Sequence, residues 1–205
     1  MLIKTLPVGQ LETNCYVVTD ENALVCAVID PGDESNTILD YIEDNKLSCK
    51  AILITHAHFD HVSAVNAMLE ATGAELYMCE KDLELAKTGA SGRFTPPENT
   101  HFYKDGDEVK VAGLTFKVME TPGHTPGGVT LICGDALFTG DTLFAGSCGR
   151  TDFEGGSMEV ELQSLAKIAA LPGDYEVYPG HMDCSTLETE RRFNPYLTAL
   201  QNRGQ

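Results

Sequence analysis

The spacing of apolar and polar residues along the chain predicts a mixed α/β protein. Short runs that are apolar, or that alternate apolar with polar residues, are typical of strands. Such runs occur near residues 2–6, 14–19, 24–30, 50–54, 75–79, 107–111, 114–120, 129–133, 136–139 and 175–178. Apolar residues three and four apart predict helices near 34–45, 60–72, 80–88, 157–170 and 186–201. Both kinds of element occur in both halves, so periodicity alone indicates only the α/β class.

The helix near 157–170 has the clearest boundary signals. Its apolar stripe consists of Met158, Leu162, Leu165 and Ala169. Ser157 is the expected N-cap, because its hydroxyl can accept a hydrogen bond from the first helical turn. Glu159 and Glu161 fall in that turn, where a negative charge favours the positive end of the helix dipole.

Four potential metal ligands stand within the stretch His56–His61, directly after the apolar run at 51–54. The helix predicted near 60–72 follows, so these ligands lie in a loop between a strand and a helix. Side chains two apart in an extended segment point the same way, which lets His56 and His58 bind one ion. Asp60 and His61 can turn toward a second ion as the chain enters the helix. Imidazole and carboxylate together suit zinc, iron and similar divalent metals.

Three further residues could bind a metal, and each follows an apolar run and begins a loop beside Gly or Pro. They are His124, Asp141 and His181. Such positions bring side chains together at one edge of a scaffold. A single histidine more often has another role, but the cluster at 56–61 makes metal binding the favoured interpretation for all seven residues. His101 has no ligating neighbour in the sequence. It is expected outside the site, at the start of a hairpin.

Composition indicates a globular protein without a membrane segment. A chain of 205 residues with 42% apolar residues can build a core, and we expect residues 1–205 to form a single domain. No stretch approaches the roughly 20 apolar residues of a membrane span, and the N-terminus lacks the features of a secretory signal. Seven cysteines without a C-x-x-C pair predict reduced thiols and a cytoplasmic location.

The individual cysteines divide into two groups. Those in predicted strands are expected to fill the core, namely Cys15, Cys26, Cys79 and Cys133. Cys148 and Cys184 fall in predicted loops near the candidate ligands. They could be reactive, although ordinary loop cysteines are the favoured interpretation.

The net charge of −17 limits the possible partners. Such a protein repels polyanions, so nucleic acid is not expected as a partner. An anionic small molecule would also need local attraction, from bound metals or from a cation such as Arg150. A small-molecule substrate is the expected partner, and the sequence leaves the oligomeric state open.

The ligand pattern resembles that of the metallo-β-lactamase superfamily. The stretches Gly140–Phe144, Gly149–Asp152 and Pro179–His181 further resemble the glyoxalase II-like (hydroxyacylglutathione hydrolase-like) branch in its short bacterial form. The likeness extends from Leu11–Tyr16 to the segment 188–195. It implies a four-layer αββα sandwich, which periodicity alone does not indicate.

The resemblance also implies which residues bind which ion. The first metal would be held by His56, His58 and His124, the second by Asp60, His61 and His181, with Asp141 bridging the two. Asp141 replaces the cysteine of the common zinc β-lactamases, and His58 replaces the glutamate of flavodiiron proteins. Two divalent ions are therefore expected. Zinc is favoured, and the same ligands tolerate iron and manganese.

The function implied by the resemblance is hydrolysis of a small thioester, such as a hydroxyacyl conjugate of glutathione. A metal-bridging hydroxide would be the nucleophile, oriented by Asp60 and Asp141. Glutathione itself is less favoured, because the chain stops at Gln205 without the basic C-terminal extension of longer glyoxalase II enzymes. Phe59, Phe144 and Arg150 are expected to contact the substrate.

Further wall segments are expected at 89–99, which has the composition of an exposed loop, and at 144–148, Phe153 and 182–185. Most of these residues are apolar or small. Arg150 has two possible roles. It either pins its glycine-rich loop through a carboxylate such as Asp60 or Asp152, which is slightly favoured, or binds the substrate's carboxylate.

Two alternatives belong to other functional classes. The segment 148–153 also resembles a loop of persulfide dioxygenases, in which His56, His124 and Asp141 would bind one iron. Gly180 and Met182 depart from that family's pattern, so the hydrolase is favoured. A non-catalytic metal-binding module is the other alternative. It is disfavoured because seven ligands around two ions leave positions for water.

Overall fold

Two mixed β-sheets, one from each half of the chain, form the centre of the structure. The computed structural model describes residues 1–88 and 94–203. Its strands are β1 Leu2–Val8, β2 Thr13–Asp20, β3 Val25–Ile29, β4 Ser48–Leu53, β5 Glu75–Cys79, β6 His101–Tyr103, β7 Glu108–Val111, β8 Leu114–Glu120, β9 Val129–Cys133, β10 Ala136–Gly140, β11 Leu143–Phe144, β12 Ser147–Cys148, β13 Glu176–Pro179 and β14 Ser185–Thr186. In the described part, the first sheet has the order β1-β2-β3-β4-β5-β6 and the second the order β14-β13-β10-β9-β8-β7. Strands β11 and β12 form a separate hairpin.

The helices cover the outer faces of the two sheets. They are α1 Ser35–Asp44, α2 Phe59–Val62, α3 Val65–Thr72, α4 Leu83–Thr88, α5 Met158–Ala169, α6 Leu187–Phe193 and α7 Pro195–Arg203, with a 3₁₀ turn at Glu80–Asp82. Helices α1 to α4 pack on the first sheet through residues such as Ile38, Val65 and Met68. Helices α5 to α7 pack on the second sheet through residues such as Leu165, Ile168 and Leu197.

The inner faces of the two sheets form the central core. Tyr16, Phe116 and Phe138 are among the largest side chains there, and burying an apolar side chain of this kind contributes about 1.5–3 kcal/mol. Helices, sheet, sheet and helices therefore stack in four layers. The predicted αββα sandwich is confirmed.

Two predicted helices are divided in the structure. The one near 60–72 becomes α2 and α3, because the Ala64 N–H donates to the Pro31 carbonyl instead of continuing the first helix. The one near 186–201 becomes α6 and α7. Asn194 adopts an extended conformation, which is the conformation favoured before a proline such as Pro195.

The structure corrects two predictions for the segment 89–103. Residues 89–93 lie outside the described part. Phe94 is buried in the core beneath the first sheet, so the prediction of an exposed loop is wrong there. His101 begins β6, which pairs in parallel with β5. The predicted hairpin is therefore wrong too, because β6 extends the first sheet.

All seven cysteines are free thiols. The four that were expected in the core are buried, and so are Cys49 and Cys148. Cys184 is exposed. In the described ranges, no helix combines the length and the apolar character needed to cross a bilayer.

Candidate metal centre

The candidate ligands come together at one edge of the sandwich, where several strands end. His56 follows β4, Asp141 follows β10 and His181 follows β13. Strands β10 and β13 run in parallel with Gly140 opposite Pro179, so the residues after them emerge side by side. His124 lies in the loop between β8 and β9. Asp60 and His61 lie on the short helix α2.

One group of ligand atoms comes from His56, His58 and His124. These atoms lie within 4.8 Å of one another, and His58 Nδ1 is 2.8 Å from His124 Nε2. The His56 and His124 side chains are buried, and His58 is partly exposed. Three imidazoles so arranged form one face of a metal site.

A second group of ligand atoms comes from Asp60, His61 and His181, again within 4.8 Å of one another. His181 Nε2 is 3.1 Å from Asp60 Oδ2. The Thr13 hydroxyl donates to the same carboxylate oxygen at 3.0 Å. This group therefore differs from the first in containing a carboxylate.

Asp141 lies between the two groups. Its Oδ2 is 3.5 Å from His124 Nε2 and 3.6 Å from His181 Nε2. Its Oδ1 is 3.4 Å from His61 Nε2. The carboxylate thus has one group on each side, as a bridging ligand requires.

Three buried atoms of this centre have no hydrogen-bond partner: His56 Nε2, His61 Nε2 and Asp141 Oδ1. Buried polar atoms are normally paired, so unpaired ones that converge indicate a missing partner. Imidazole nitrogens with a carboxylate oxygen are suitable donors for a divalent transition metal. The residues at this edge therefore fit metal ions.

Four of the histidines are oriented by their second ring nitrogen. His56 Nδ1 is 3.2 Å from the Thr55 hydroxyl. His61 Nδ1 is 2.9 Å from Asp30 Oδ2, His124 Nδ1 is 2.6 Å from the Arg150 carbonyl, and His181 Nδ1 is 3.2 Å from the Leu11 carbonyl. With Nδ1 occupied in this way, Nε2 of each ring faces the centre. Such outer partners fix the tautomer and strengthen metal binding.

Sequence analysis missed Asp30. It follows β3, and Asp30 accepts hydrogen bonds from the Thr55 N–H at 2.8 Å and the Thr55 hydroxyl at 2.6 Å. Its carboxylate oxygens are close enough to His56 and His61 to form a third group of possible ligands. Because they already bind Thr55 and His61, we interpret Asp30 as a support for the ligands. An acid directly after an apolar strand was the available sequence signal.

Glu161 lies in the first turn of α5, as predicted, and it also has a role that the sequence did not indicate. Its side chain is fully buried and accepts a hydrogen bond from the His124 backbone N–H at 2.8 Å. Burial raises the pKa of Glu161 to about 8. Ser157 is the N-cap as predicted, accepting from the Val160 N–H.

The two groups differ in charge. Burial and the neighbouring imidazoles lower the pKa of His56, and they lower the pKa of His58 to about 4. These rings are thus neutral, the form that binds metals. Burial would lower the pKa of His61 too, but the carboxylates of Asp141 and Asp30 outweigh it and raise that pKa. In the metal-free protein, a proton therefore occupies the second group.

A cavity of about 700 Å³ opens above both groups. Its apolar lining includes Leu11, Phe59, Leu85, Phe144, Cys148, Phe153 and Met182. The predicted Phe59, Phe144 and Phe153 are thus at the cavity. Leu11 and Leu85 were not predicted, and from the expected segment 182–185 only Met182 contributes to the described lining.

Arg150 also lines the cavity. Its Nε and Nη2 donate to the two oxygens of Asp152, each at 2.7 Å. Its guanidinium lies 4.0 Å from the centre of the Phe153 ring, and that ring contacts the His58 ring with centroids 5.8 Å apart. The Arg150 side chain is thus bound to Asp152, one of its two expected partners.

Comparison with known proteins identifies the relatives of this chain. An uncharacterized protein of Aquifex aeolicus is 38% identical over 98% of this chain and 100% of the relative. A Haemophilus influenzae protein named hydroxyacylglutathione hydrolase GloC is 34% identical over 97% of this chain and 99% of the relative.

Solved structures show the same fold. The BLEG-1 B3 metallo-beta-lactamase matches with a TM-score of 0.88 and 32% identity, over 96% of this chain and 100% of that one. TTHA1623 in a di-iron-bound form matches with a TM-score of 0.84 and 36% identity, over 95% and 100%. ETHE1 from Myxococcus xanthus matches with a TM-score of 0.83 and 28% identity, over 100% and 92%. The sequence profile of the metallo-beta-lactamase superfamily matches residues 8–181, and the chain belongs to this superfamily of metal-dependent hydrolases.

Proposed function

We propose that this protein hydrolyses small thioesters at a centre of two divalent metal ions. The observation that carries the proposal is the position of Asp141 between two ligand groups whose converging atoms lack partners. The first ion would be held by His56, His58 and His124, the second by Asp60, His61 and His181, and both by Asp141. Zinc is the proposed metal. The di-iron form of TTHA1623 makes iron the first alternative to test.

When bound, two such ions would lower the pKa of a coordinated water toward ~7 and polarise a substrate carbonyl. Asp60 and Asp141 would accept hydrogen bonds from the attacking water and orient it. Burial alone would raise the pKa of both carboxyl groups. The neighbouring histidines outweigh burial and lower both pKa values, so both side chains are ionised acceptors.

The charge balance favours attack on a carbonyl. The proposed ligands are five imidazoles and two carboxylates, and the carboxylates offset only part of the charge of two dications. The centre would therefore keep positive charge where negative charge develops on the carbonyl oxygen. A thioester suits such a centre because its thiol, with a pKa near ~8.5, leaves as a thiolate without an acid.

The residues of the cavity wall favour an uncharged or weakly charged substrate. Arg150 is the only lysine or arginine among the described residues that line the cavity, and Asp152 already binds it through two hydrogen bonds. Apolar contacts with the acyl or thiol part would then provide most of the binding. The name of the Haemophilus influenzae relative, a hydroxyacylglutathione hydrolase, supports the thioester, and the wall favours simpler thiols over glutathione.

The remaining parts of the proposal concern partners and location. A net charge of −17 disfavours nucleic acids, so the proposed partner is the small-molecule substrate alone. Free cysteines throughout the chain are typical of proteins in reducing compartments. This supports a cytoplasmic location.

Persulfide oxidation at a single iron is the alternative activity, because His56, His124 and Asp141 would also form a two-histidine, one-carboxylate triad. The convergence of Asp60, His61 and His181 beside that triad favours a second ion and therefore the hydrolase.

Parallel assays separate these activities. The purified protein is given lactoyl and acetyl thioesters of glutathione, N-acetylcysteamine and mercaptoethanol, and thiol release is measured. Oxygen uptake with glutathione persulfide is measured beside it, and metal content is determined. We expect thiol release without oxygen uptake, two metals per chain, and no activity in the His56→Ala/His124→Ala double variant. Oxygen uptake without thiol release would replace the hydrolase with the dioxygenase. A thousandfold higher kcat/KM for glutathione thioesters would contradict the proposal that apolar contacts with the wall provide most of the binding.

A further inference from the structure

Asp82 is a buried acid that no step of the proposed reaction uses. It ends the 3₁₀ turn at Glu80–Asp82 and is 1% exposed. Its Oδ2 accepts hydrogen bonds from the Ala57 N–H at 2.9 Å and from the Thr125 hydroxyl at 2.9 Å. Its Oδ1 accepts one from the Gly127 N–H at 2.6 Å. Burying a carboxylate is costly unless it is paired in this way.

The three donors belong to two separate ligand loops. Ala57 stands between His56 and His58, and Thr125 directly follows His124. One carboxylate therefore binds both backbone segments that carry the first group of ligands. These segments are far apart in sequence, and they come from different halves of the sandwich.

The contact with the second loop is unusually close. A Cβ atom at Gly127 would lie 2.6 Å from Asp82 Oδ1 and 2.8 Å from the Asp82 backbone nitrogen. Any larger residue at 127 would push the loop away from the carboxylate. The glycine thus permits the approach on which the hydrogen bond depends.

The second group of ligands is held by other partners. His61 is bound by Asp30, Asp60 by the Thr13 hydroxyl and His181 by the Leu11 carbonyl. None of these contacts involves Asp82. Asp30 also reaches the first group, because it accepts from the Thr55 hydroxyl, which lies 3.2 Å from His56 Nδ1. Asp82, by contrast, binds only the loops of the first group.

We infer that Asp82 is a positioning residue that joins the two loops of the first metal position and sets the spacing of His56, His58 and His124. The inference rests on the proposed metal centre and not on the identity of the substrate. Loss of Asp82 would weaken binding at the first position and spare the second.

The test is zinc binding by the metal-free protein, measured by competition with a chelating indicator. Asp82→Asn keeps the size of the side chain, but its amide nitrogen cannot accept a hydrogen bond. At least one of the three contacts is then lost. Loss of such an outer partner typically costs 10–100-fold in metal affinity. We expect a loss of that size for one zinc ion and an unchanged affinity for the other.

A double-variant comparison identifies the affected position. In a His124→Ala background, the first position has already lost a ligand, so Asp82→Asn should produce no further change in zinc binding. In a His181→Ala background, the two changes affect different positions and should add. Additive losses in the His124→Ala background would overturn the inference.

Glu190→Gln is the matched control. Glu190 is 2% exposed and also accepts three hydrogen bonds, from Gly146, Ser185 and Asn194. None of these three partners lies in the two loops that Asp82 joins. We expect this variant to lower Tm about as much as Asp82→Asn while both zinc affinities remain at the wild-type values. An equal loss of zinc affinity would mean that Asp82 supports only the fold.

Thr125→Val provides a milder variant in case Asp82→Asn does not fold. It removes one donor to Asp82 and nearly preserves the volume of the side chain. We expect a smaller loss of affinity for the same zinc ion. Wild-type affinity for both ions in this variant and in any folded Asp82→Asn protein would overturn the inference.

Discussion

The metal-binding floor of the cavity and its apolar wall are built in opposite ways. On the floor, His56, His61 and His124 are buried, and outer partners such as Asp30 orient the ligands. On the wall, Leu11, Phe153 and Met182 are 53%, 48% and 61% exposed. The floor is more rigid than the wall, because moving His61 or His124 would break buried hydrogen bonds. The wall has few such contacts to lose.

This difference teaches how one superfamily can carry several activities. A rigid floor preserves the metal geometry on which the chemistry depends, while an exposed wall can change without disturbing it. Solved relatives of this fold include a B3 metallo-beta-lactamase and ETHE1. A wall of apolar contacts also discriminates weakly, because one methylene is worth only ~1–3 kcal/mol.

The strongest test of the rigid floor is Asp141→Asn. This change keeps the size of the side chain but removes a negative charge from the position between the two groups. We expect kcat/KM for thioesters to fall by more than about 100-fold, beyond the 10–100-fold typical of an outer partner. Metal analysis of the same preparation should show fewer than two ions per chain. Asp135→Asn, which changes an exposed acid in the turn between β9 and β10, is the control. Near-normal rates with two bound metals would show that Asp141 is not the bridge.

Glu161→Gln tests whether the buried support under His124 is neutral. Burial raises the pKa of Glu161 to about 8 from an ordinary value of 4.5. Because the pKa is raised on folding, the stability that this carboxyl group contributes is fully present below its unfolded pKa. That stability is lost as the pH rises through about 8. The free energy of unfolding of the metal-free wild type, relative to Glu161→Gln, should therefore fall between about pH 5 and pH 8.

Urea denaturation at several pH values measures this difference. Glu159→Gln changes an exposed acid in the same helical turn and should show no comparable trend. A difference between wild type and Glu161→Gln that stays constant with pH would mean that Glu161 is ionised in the folded protein.

A change in the wall should have a smaller and more selective effect. Phe153→Ala removes an exposed ring that contacts His58, and partial loss of such a contact is worth roughly 1 kcal/mol. We expect kcat/KM to fall about fivefold, mainly through KM, with metal content unchanged. Phe193→Ala, at a more exposed ring on α6, controls for loss of a surface aromatic. Loss of metal in Phe153→Ala would mean that Phe153 supports the metal ligands and does not act only on the substrate.

Arg150→Lys should have the smallest effect. The Arg150 and Asp152 side chains are both largely exposed, and exposed ion pairs contribute little to stability. The Arg150 carbonyl that orients His124 belongs to the backbone and is kept. For uncharged thioesters we expect kcat/KM to change by less than about threefold, with Tm and metal content unchanged. A rise in KM confined to anionic thioesters would assign Arg150 to substrate binding. Loss of metal would make it a support.

Much of the fold and of the ligand set could be predicted because the signals are local. Strand and helix periods reveal which faces are buried, and they located nearly all the long elements. The short strands β6, β11, β12 and β14 were missed. Two or three residues carry no period, and their pairing depends on neighbours that are distant in sequence.

The sequence by itself determined the class of chemistry. His56, His58, Asp60 and His61 lie so close together that local backbone geometry alone directs them toward one edge of a sheet. The chain turns at glycine or proline beside His124, Asp141 and His181, which places these ligands at strand ends.

Only the tertiary structure decided what holds these ligands in place. In the sequence, Asp30, Asp82 and Glu161 resemble ordinary surface acids, and the place of Glu161 in the first turn of a helix does not indicate its burial. Each is buried because distant segments close over it, and a buried carboxylate must then find donors. Those donors are on the ligand residues and their loops, so the same packing that buries the acids also positions the metal centre.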